Sequence, residues 1–322
     1  MRKRSPPCEY ERQRRRVGKL RESTLAMRFA TFESGDIELN YAACGSVEHP
    51  LVICLHGFPE YWAAWSAVMW ELCDSYHIVA PDQRGFNLSF RPQGVDAYRA
   101  RHMVQDLALL ADHLSPERPF ILAGHDWGAS IAYAYAFAHP DRLTHLIVAN
   151  GVHPVLFQRA VLGDPEQRKA SQYINFFHQP DAEAWLSDND FAGMFQMLAA
   201  FSDISWMRKA QHSAYIEAWS RPGAMRAMLD WYSASPLVVP GLGASAGPAP
   251  ILELPAGMFG VGMPHLVVWG EDDRALLPSC LTGLEEFAPD LTVRRLPGCG
   301  HWLLHEQPAA VAREIRSFLS AG

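Results

Sequence analysis

Short apolar runs alternate with stretches of helical spacing from residue 51 to residue 149, and this rhythm leaves few folds open. Leu51–Leu55 (LVICL) and Phe120–Ala123 are unbroken apolar runs, which predicts strands buried on both faces. His77–Ala80, stopped at Pro81, and Leu143–Ala149 complete the strand set in this region. Trp62–Cys73, Met103–Leu114 and the small-residue run Ala129–Ala138 carry helical spacing between them. Such strand–helix–strand units predict a mostly parallel sheet with helices on both faces. Upstream, Phe29–Phe32 and Ile37–Tyr41 read as two strands joined by a Ser-Gly-Asp turn.

The rhythm stops at His153. From there to about Ala234 the pattern is helical and rich in aromatics, and a Pro/Gly/Ala connector, Pro236–Pro264, follows. Strand–helix order then resumes with Leu266–Trp269, a helix over Leu276–Phe287, Leu291–Leu296 and a helix over Pro308–Leu319. The expected organisation is an α/β core in two parts, residues 28–152 and 256–322, split by a helical cap with its connector, residues 153–255. Residues 1–27 form a basic head, expected to be a disordered tail or an over-called start ahead of Met27.

Charge narrows the partners. Residues 1–28 hold ten Lys+Arg against three Asp+Glu, and the remaining chain holds 18 against 32. An acidic body lacks the basic stripe that a phosphate backbone requires, so no nucleic-acid partner is expected. No run approaches the roughly 18 apolar residues of a membrane span, and no apolar segment follows the basic head as a secretory signal would need. Six scattered cysteines without a C-x-x-C pair suit a reducing compartment, and a cytoplasmic location is expected.

Four segments could carry chemistry. Gly124-His125-Asp126-Trp127-Gly128 lies between a strand and a helix, and small residues at 124 and 128 permit a sharp turn that lifts Asp126 above the sheet beside a helix N-terminus. His56-Gly57-Phe58-Pro59 follows another central strand. There the Phe58 N–H can join the Trp127 N–H as a two-donor oxyanion hole. Trp269-Gly270-Glu271-Asp272-Asp273 puts either aspartate on a loop at the same sheet end, and Gly298-Cys299-Gly300-His301-Trp302 does so for His301. The order Asp126, Asp273, His301 is that of nucleophile, acid and base in α/β-hydrolases. His301 and His305 have the spacing of a zinc helix, but Trp302 stands where its glutamate belongs, so neither a metal nor any other cofactor is expected. Gly243-Ala244-Ser245-Ala246-Gly247 matches a serine elbow, yet Pro248 and Pro250 occupy the place of its helix, which makes Ser245 a connector serine.

An aspartate at such a turn selects the reaction. A serine that attacked saturated carbon would be trapped as an ether, whereas a carboxylate forms an ester that His-activated water can reopen. Epoxides and alkyl halides are the matching electrophiles. The motifs HGFPEYWAAW, PDQRGFNLS, GHDWG, NGVHP, WGEDD and GCGHW resemble those of the α/β-hydrolase-fold epoxide hydrolases over about Phe29 to Leu319. The resemblance implies Asp126 as nucleophile, His301 as base and Asp273, rather than Asp272, as its carboxylate partner. SQYINFF and LDWY resemble the segments that carry that family's ring-opening tyrosines, which implies Tyr173 and Tyr232; Tyr215 has no such motif and is read as structural. The expected substrate is a small neutral epoxide with water as co-substrate. A haloalkane dehalogenase of the same fold is the alternative, against which stand Phe58, where many dehalogenases place an amide side chain, and Asn150, where some keep their acid. A binding protein on a catalytically dead version of the fold is the alternative of another class.

Overall fold

The computed structural model describes residues 26–245 and 247–321, so the basic head lies almost wholly outside the described residues. Eight strands form one sheet in the order β1-β2-β4-β3-β5-β6-β7-β8. They are β1 (Arg28–Ser34), β2 (Ile37–Cys44), β3 (Leu51–Leu55), β4 (His77–Pro81), β5 (Phe120–His125), β6 (Leu143–Ala149), β7 (His265–Gly270) and β8 (Leu291–Leu296). β2 pairs antiparallel with both β1 and β4, while β3 to β8 pair in parallel. β3, β4, β5 and β7 are buried along their whole length, which is why they read as unbroken or nearly unbroken apolar runs.

The pleat sorts these runs between two cores. Ile53, Leu55, Val79, Leu122, Val148 and Val267 join one cluster, which continues through Ile174, Phe177 and Tyr232 of the segment between β6 and β7. Their neighbours Val52, Cys54, Ile78, Ile121, Ile147 and Leu266 join the other, under the C-terminal helix. Crossovers run through α1 (Ser66–Leu72), α2 (Ala100–Leu114) and α3 (Trp127–Ala138). After β3 the chain goes to β4 on one side and then returns to β5 on the other. The carboxyl ends of β3 and β5 therefore flank the switch point, where a sheet of this kind opens a crevice.

Between β6 and β7 lie α4 (Pro154–Gly163), α5 (Pro165–Ala170), α6 (Gln172–Phe177), α7 (Ala182–Phe201), α8 (Lys209–Trp219) and α9 (Ala224–Ala234). Asp164 caps α5 by accepting from Glu166 N–H at 2.9 Å, with Pro165 in the first turn. After β8 come α10 (Leu303–Glu306) and α11 (Pro308–Leu319). One expected helix is absent: Leu276–Phe287 forms only the 3-10 turns Pro278–Leu281 and Leu284–Glu286. Pro278 brings no N–H, and Gly283 at φ +87° interrupts any longer helix. Trp62–Cys73 is likewise divided, into a 3-10 turn over Trp62–Trp65 and α1. Ser245 lies exposed in the connector, outside any strand or helix.

Candidate active site

The turn from β5 into α3 is as sharp as its glycines suggest. Asp126 sits at φ 50° and ψ −120°, a conformation that costs a non-glycine residue roughly 1–3 kcal/mol. A Cβ on Gly124 would lie 2.5 Å from the Gly128 carbonyl oxygen, and one on Gly128 would lie 2.2 Å from that of Leu55. Neither position accepts a side chain, so the strained turn is locked between helix and sheet. Gly57 has a third role: a Cβ there would fall 2.3 Å from the Asp126 Cβ, in space the aspartate itself occupies.

The carboxylate of Asp126 is held at one end and open at the other. Its Oδ1 accepts from the Phe58 N–H at 2.8 Å, and the Trp127 N–H also donates to the carboxylate. Its Oδ2 lies 3.7 Å from His301 Nε2. Burial pushes the carboxyl above the usual range, and His301 and His125 pull against that push. The expected oxyanion donors and the expected nucleophile thus lie within one hydrogen-bonded unit.

His301 is oriented from behind. Its Nδ1 donates to Asp273 Oδ2 at 2.8 Å, which leaves Nε2 facing Asp126 without a hydrogen-bond partner among the described residues. Burial alone would lower the imidazole, but the charge of Asp273 and its hydrogen bond outweigh burial. With Asp126 and Glu60 adding to them, His301 rises to about 9. Asp273 is buried, and its Oδ1 accepts from the N–H groups of Ala275 and Leu276 at 2.7 and 2.9 Å. Asp272 is exposed, which separates the two aspartates that the sequence left open. His305 turns away from His301 and pairs with Glu60 at 2.6 Å.

Two tyrosines of the cap face this unit. The Tyr173 and Tyr232 hydroxyls hydrogen-bond to each other, and the Trp127 indole N–H donates to Tyr232. Both phenols are pushed well above their usual range, by burial first and also by the nearby charge of Asp126. Aromatic rings wall the space: Phe58 and Phe177 stand 5.1 and 4.8 Å from the Tyr232 ring, and Phe201 stands 4.8 Å from Tyr173. Tyr215 points elsewhere, donating to Glu60 Oε1 at 2.6 Å.

The family described as the alpha/beta hydrolase fold matches residues 50–308 of this chain. The chain belongs to the α/β-hydrolase fold family. It is 34% identical over 285 residues to the AB hydrolase superfamily protein YfhM of Bacillus subtilis (strain 168), covering 88% of this chain and 94% of that protein. Epoxide hydrolase 3 of Xenopus tropicalis is 31% identical over 299 residues, covering 90% of this chain and 77% of that protein. A solved structure from work on novel epoxide hydrolases in metagenomes from hot environments aligns with a TM-score of 0.81 at 34% identity. It covers 91% of this chain and 99% of that chain.

Within this α/β-hydrolase two residues tie the site together in a way the sequence did not show: Asn150, named above only as a departure from the dehalogenases, and Glu60. Asn150, at the end of β6, donates through Nδ2 to Asp273 Oδ2 at 2.6 Å and to the Gly300 carbonyl at 3.1 Å. Its Oδ1 accepts from Gly270 N–H at 2.6 Å, and its own carbonyl accepts from Asp126 N–H at 3.2 Å. One side chain and its backbone thus join the loops of all three candidate residues. The NGVHP motif was the available signal, but it says nothing of which loops converge there.

Glu60 is the second, buried beside His305 and, at 3.4 Å, His125 Nδ1. Burial pushes its carboxyl up, yet His305 and His125 prevail and hold it well below the usual carboxylate range. His125 in turn donates through Nε2 to the His301 carbonyl at 2.8 Å. No helix among the described residues is long and apolar enough to cross a membrane.

Proposed function

We propose that this α/β-hydrolase is an epoxide hydrolase that opens an epoxide to a vicinal diol through an ester on Asp126. The observation that carries the reading is the divided carboxylate: Oδ1 accepts from Phe58 N–H, Trp127 N–H also donates to the carboxylate, and Oδ2 lies 3.7 Å from His301 Nε2, with Tyr173 and Tyr232 close enough to feel its charge. The relatives named above, two of them epoxide hydrolases by description, support the same substrate class.

In this mechanism Oδ2 attacks a ring carbon and the carbon–oxygen bond breaks. Tyr173 and Tyr232, kept protonated by burial, supply the proton that the epoxide oxygen needs as it becomes an alkoxide. Oδ1 is then the ester carbonyl oxygen, already seated on Phe58 N–H, with Trp127 N–H as the second donor of the proposed hole. Esterification also removes the negative charge of Asp126, one cause that keeps His301 protonated, so His301 yields its resting proton to solvent, regains it when the charge of Asp126 returns, and serves in between as the base of the second step. Water gives its proton to His301 Nε2 and attacks the ester carbonyl. The oxyanion forms on Oδ1, where each donor is worth on the order of 10²–10³ in rate. Collapse releases the diol with the original Oδ2. His301 returns its proton to the leaving oxygen, and the proton liberated by the new carboxylic acid restores the tyrosine.

Residues 153–255 act as the cap of this reading, and the two parts of the core, 28–152 and 256–322, close around the sheet. A cytoplasmic site of action agrees with five unpaired buried thiols among the described residues. The dehalogenase alternative finds little to hold a halide: Phe58 has no side-chain donor, and the Trp127 indole is engaged by Tyr232. Incubation with styrene oxide and, separately, with a haloalkane tests the choice. Diol formation that vanishes in Asp126→Asn is expected; halide release without diol would support the dehalogenase instead.

A further inference from the structure

Gln167 lies in α5 of the cap, fully buried, and its amide uses its complete hydrogen-bonding capacity. Nε2 donates to Ser171 Oγ and to the Ala275 carbonyl, both at 2.9 Å. Oε1 accepts from Leu277 N–H at 2.7 Å and from the Cys280 thiol at 3.2 Å. The carbonyl and the N–H fix the orientation of the amide, since each accepts only one of its two ends. Four partners from two distant segments for one neutral side chain is more than packing needs, and the two segments are the informative part.

Ala275 to Leu277 is the backbone that holds Asp273. Its Oδ1 rests on the N–H groups of Ala275 and Leu276, while its Oδ2 aligns His301. Gln167 grips this three-residue stretch at both ends. Ser171 is the N-cap of α6, the helix that carries Tyr173 two residues later. The same amide therefore touches the segment that orients the base and the helix that bears a proton donor. We propose that Gln167 is a positioning residue that holds the Asp273 loop of the core in register with the Tyr173 helix of the cap. Gln167 joins the two halves of the reaction, ring opening and ester breakdown, without touching substrate. The inference rests on the epoxide hydrolase reading above.

Single-turnover kinetics of Gln167→Met, which keeps length and loses all four hydrogen bonds, test it. Ester formation and ester breakdown are followed separately on styrene oxide and expressed per active site. Both steps are expected to slow at least about tenfold. Because a loosened Asp273 supports the imidazolium less, the acid limb of ester breakdown should also move to lower pH, and a mere loss of folded enzyme would leave that limb in place. Wild-type rates per active site, or slowed rates with an unmoved limb, overturn the proposal. If Gln167→Met does not fold, Gln167→Asn, which keeps a neutral amide but is one carbon too short to reach both segments, is read by the same two criteria. Absence of any Asp126 ester in the wild-type protein would instead overturn the underlying reading.

Discussion

At the scale of single residues, the site works by setting charges against burial. His301 is the sharpest case: raised to about 9, it is protonated at neutral pH in the resting protein, yet the proposed mechanism needs it neutral to accept a proton from water. Ester breakdown should therefore quicken as pH rises through the imidazole value and fade below it. The midpoint should lie under the resting value, because the ester has lost the charge of Asp126. Stopped-flow measurement of breakdown across the neutral range reads this directly. Asp273→Asn removes the main cause that raises His301 and leaves only the weaker charges of Asp126 and Glu60 against burial. Its acid limb should move to lower pH while the rate falls on the order of 10⁴, as expected when the imidazole loses its orienting carboxylate. Asp126→Asn keeps an acceptor for Phe58 N–H but loses the nucleophile and the buried charge. Turnover should drop on the order of 10⁴ or more with no fall in thermal midpoint.

At the scale of elements, what could be read from the chain followed local physics. β3 and β6 fall on the expected residues because short, largely apolar runs between Gly or Pro turns admit few other structures. The elbow was legible because three constraints coincide there: a strand behind, a helix ahead and glycines where Cβ atoms would strike backbone. Gly128→Ala should accordingly cost about 1–3 kcal/mol or more in urea denaturation, since its Cβ meets the Leu55 carbonyl and not a yielding side chain. The missing helix at Leu276–Phe287 shows the limit. Helical spacing was present, but Gly283 at φ +87° divides the segment into two short 3-10 turns, and spacing does not report backbone conformation. For the cap tyrosines, Tyr173→Phe and Tyr232→Phe together should slow ester formation by about 10²–10⁴ and leave breakdown of a preformed ester nearly untouched. Equal slowing of both steps would place their role elsewhere.

Across the whole molecule, the cap is fastened to the core by polar bonds in a largely apolar interface. The Trp219 indole donates to the Pro59 carbonyl at 2.7 Å, Trp302 to Leu198 at 2.8 Å and Trp231 to Arg84 at 3.1 Å. Glu60 gathers Tyr215 of the cap with His305 and His125 of the core. None of these pairings was legible in the sequence, because their partners lie between about 65 and 245 residues apart and often present only a backbone atom. The pairings of Gln167 with the Asp273 loop, and those that make Asn150 more than a departure from the dehalogenases, escaped for the same reason. Removing Glu60 leaves Tyr215 and His305 without their common acceptor and His125 without its ion-pair partner, so Glu60→Ala should cost roughly 3–5 kcal/mol in chemical denaturation. The pH dependence has a definite sign. A carboxyl held below its unfolded value, about 4.3, adds stability above that value and loses it as pH falls toward the folded one. The wild-type protein should thus lose more stability than Glu60→Ala on acidification below about pH 4.

The central claim is the covalent ester on Asp126, and a single turnover in heavy-oxygen water tests it most directly. Enzyme in excess over epoxide is quenched after one cycle, and both the diol and the peptide containing Asp126 are weighed by mass spectrometry. Solvent oxygen should appear in Asp126, because water attacks the ester carbonyl, while the first-turnover diol carries the old carboxylate oxygen and no label. Label in the first diol with an unlabelled Asp126 would mean that water attacks the epoxide itself, and would contradict the ester.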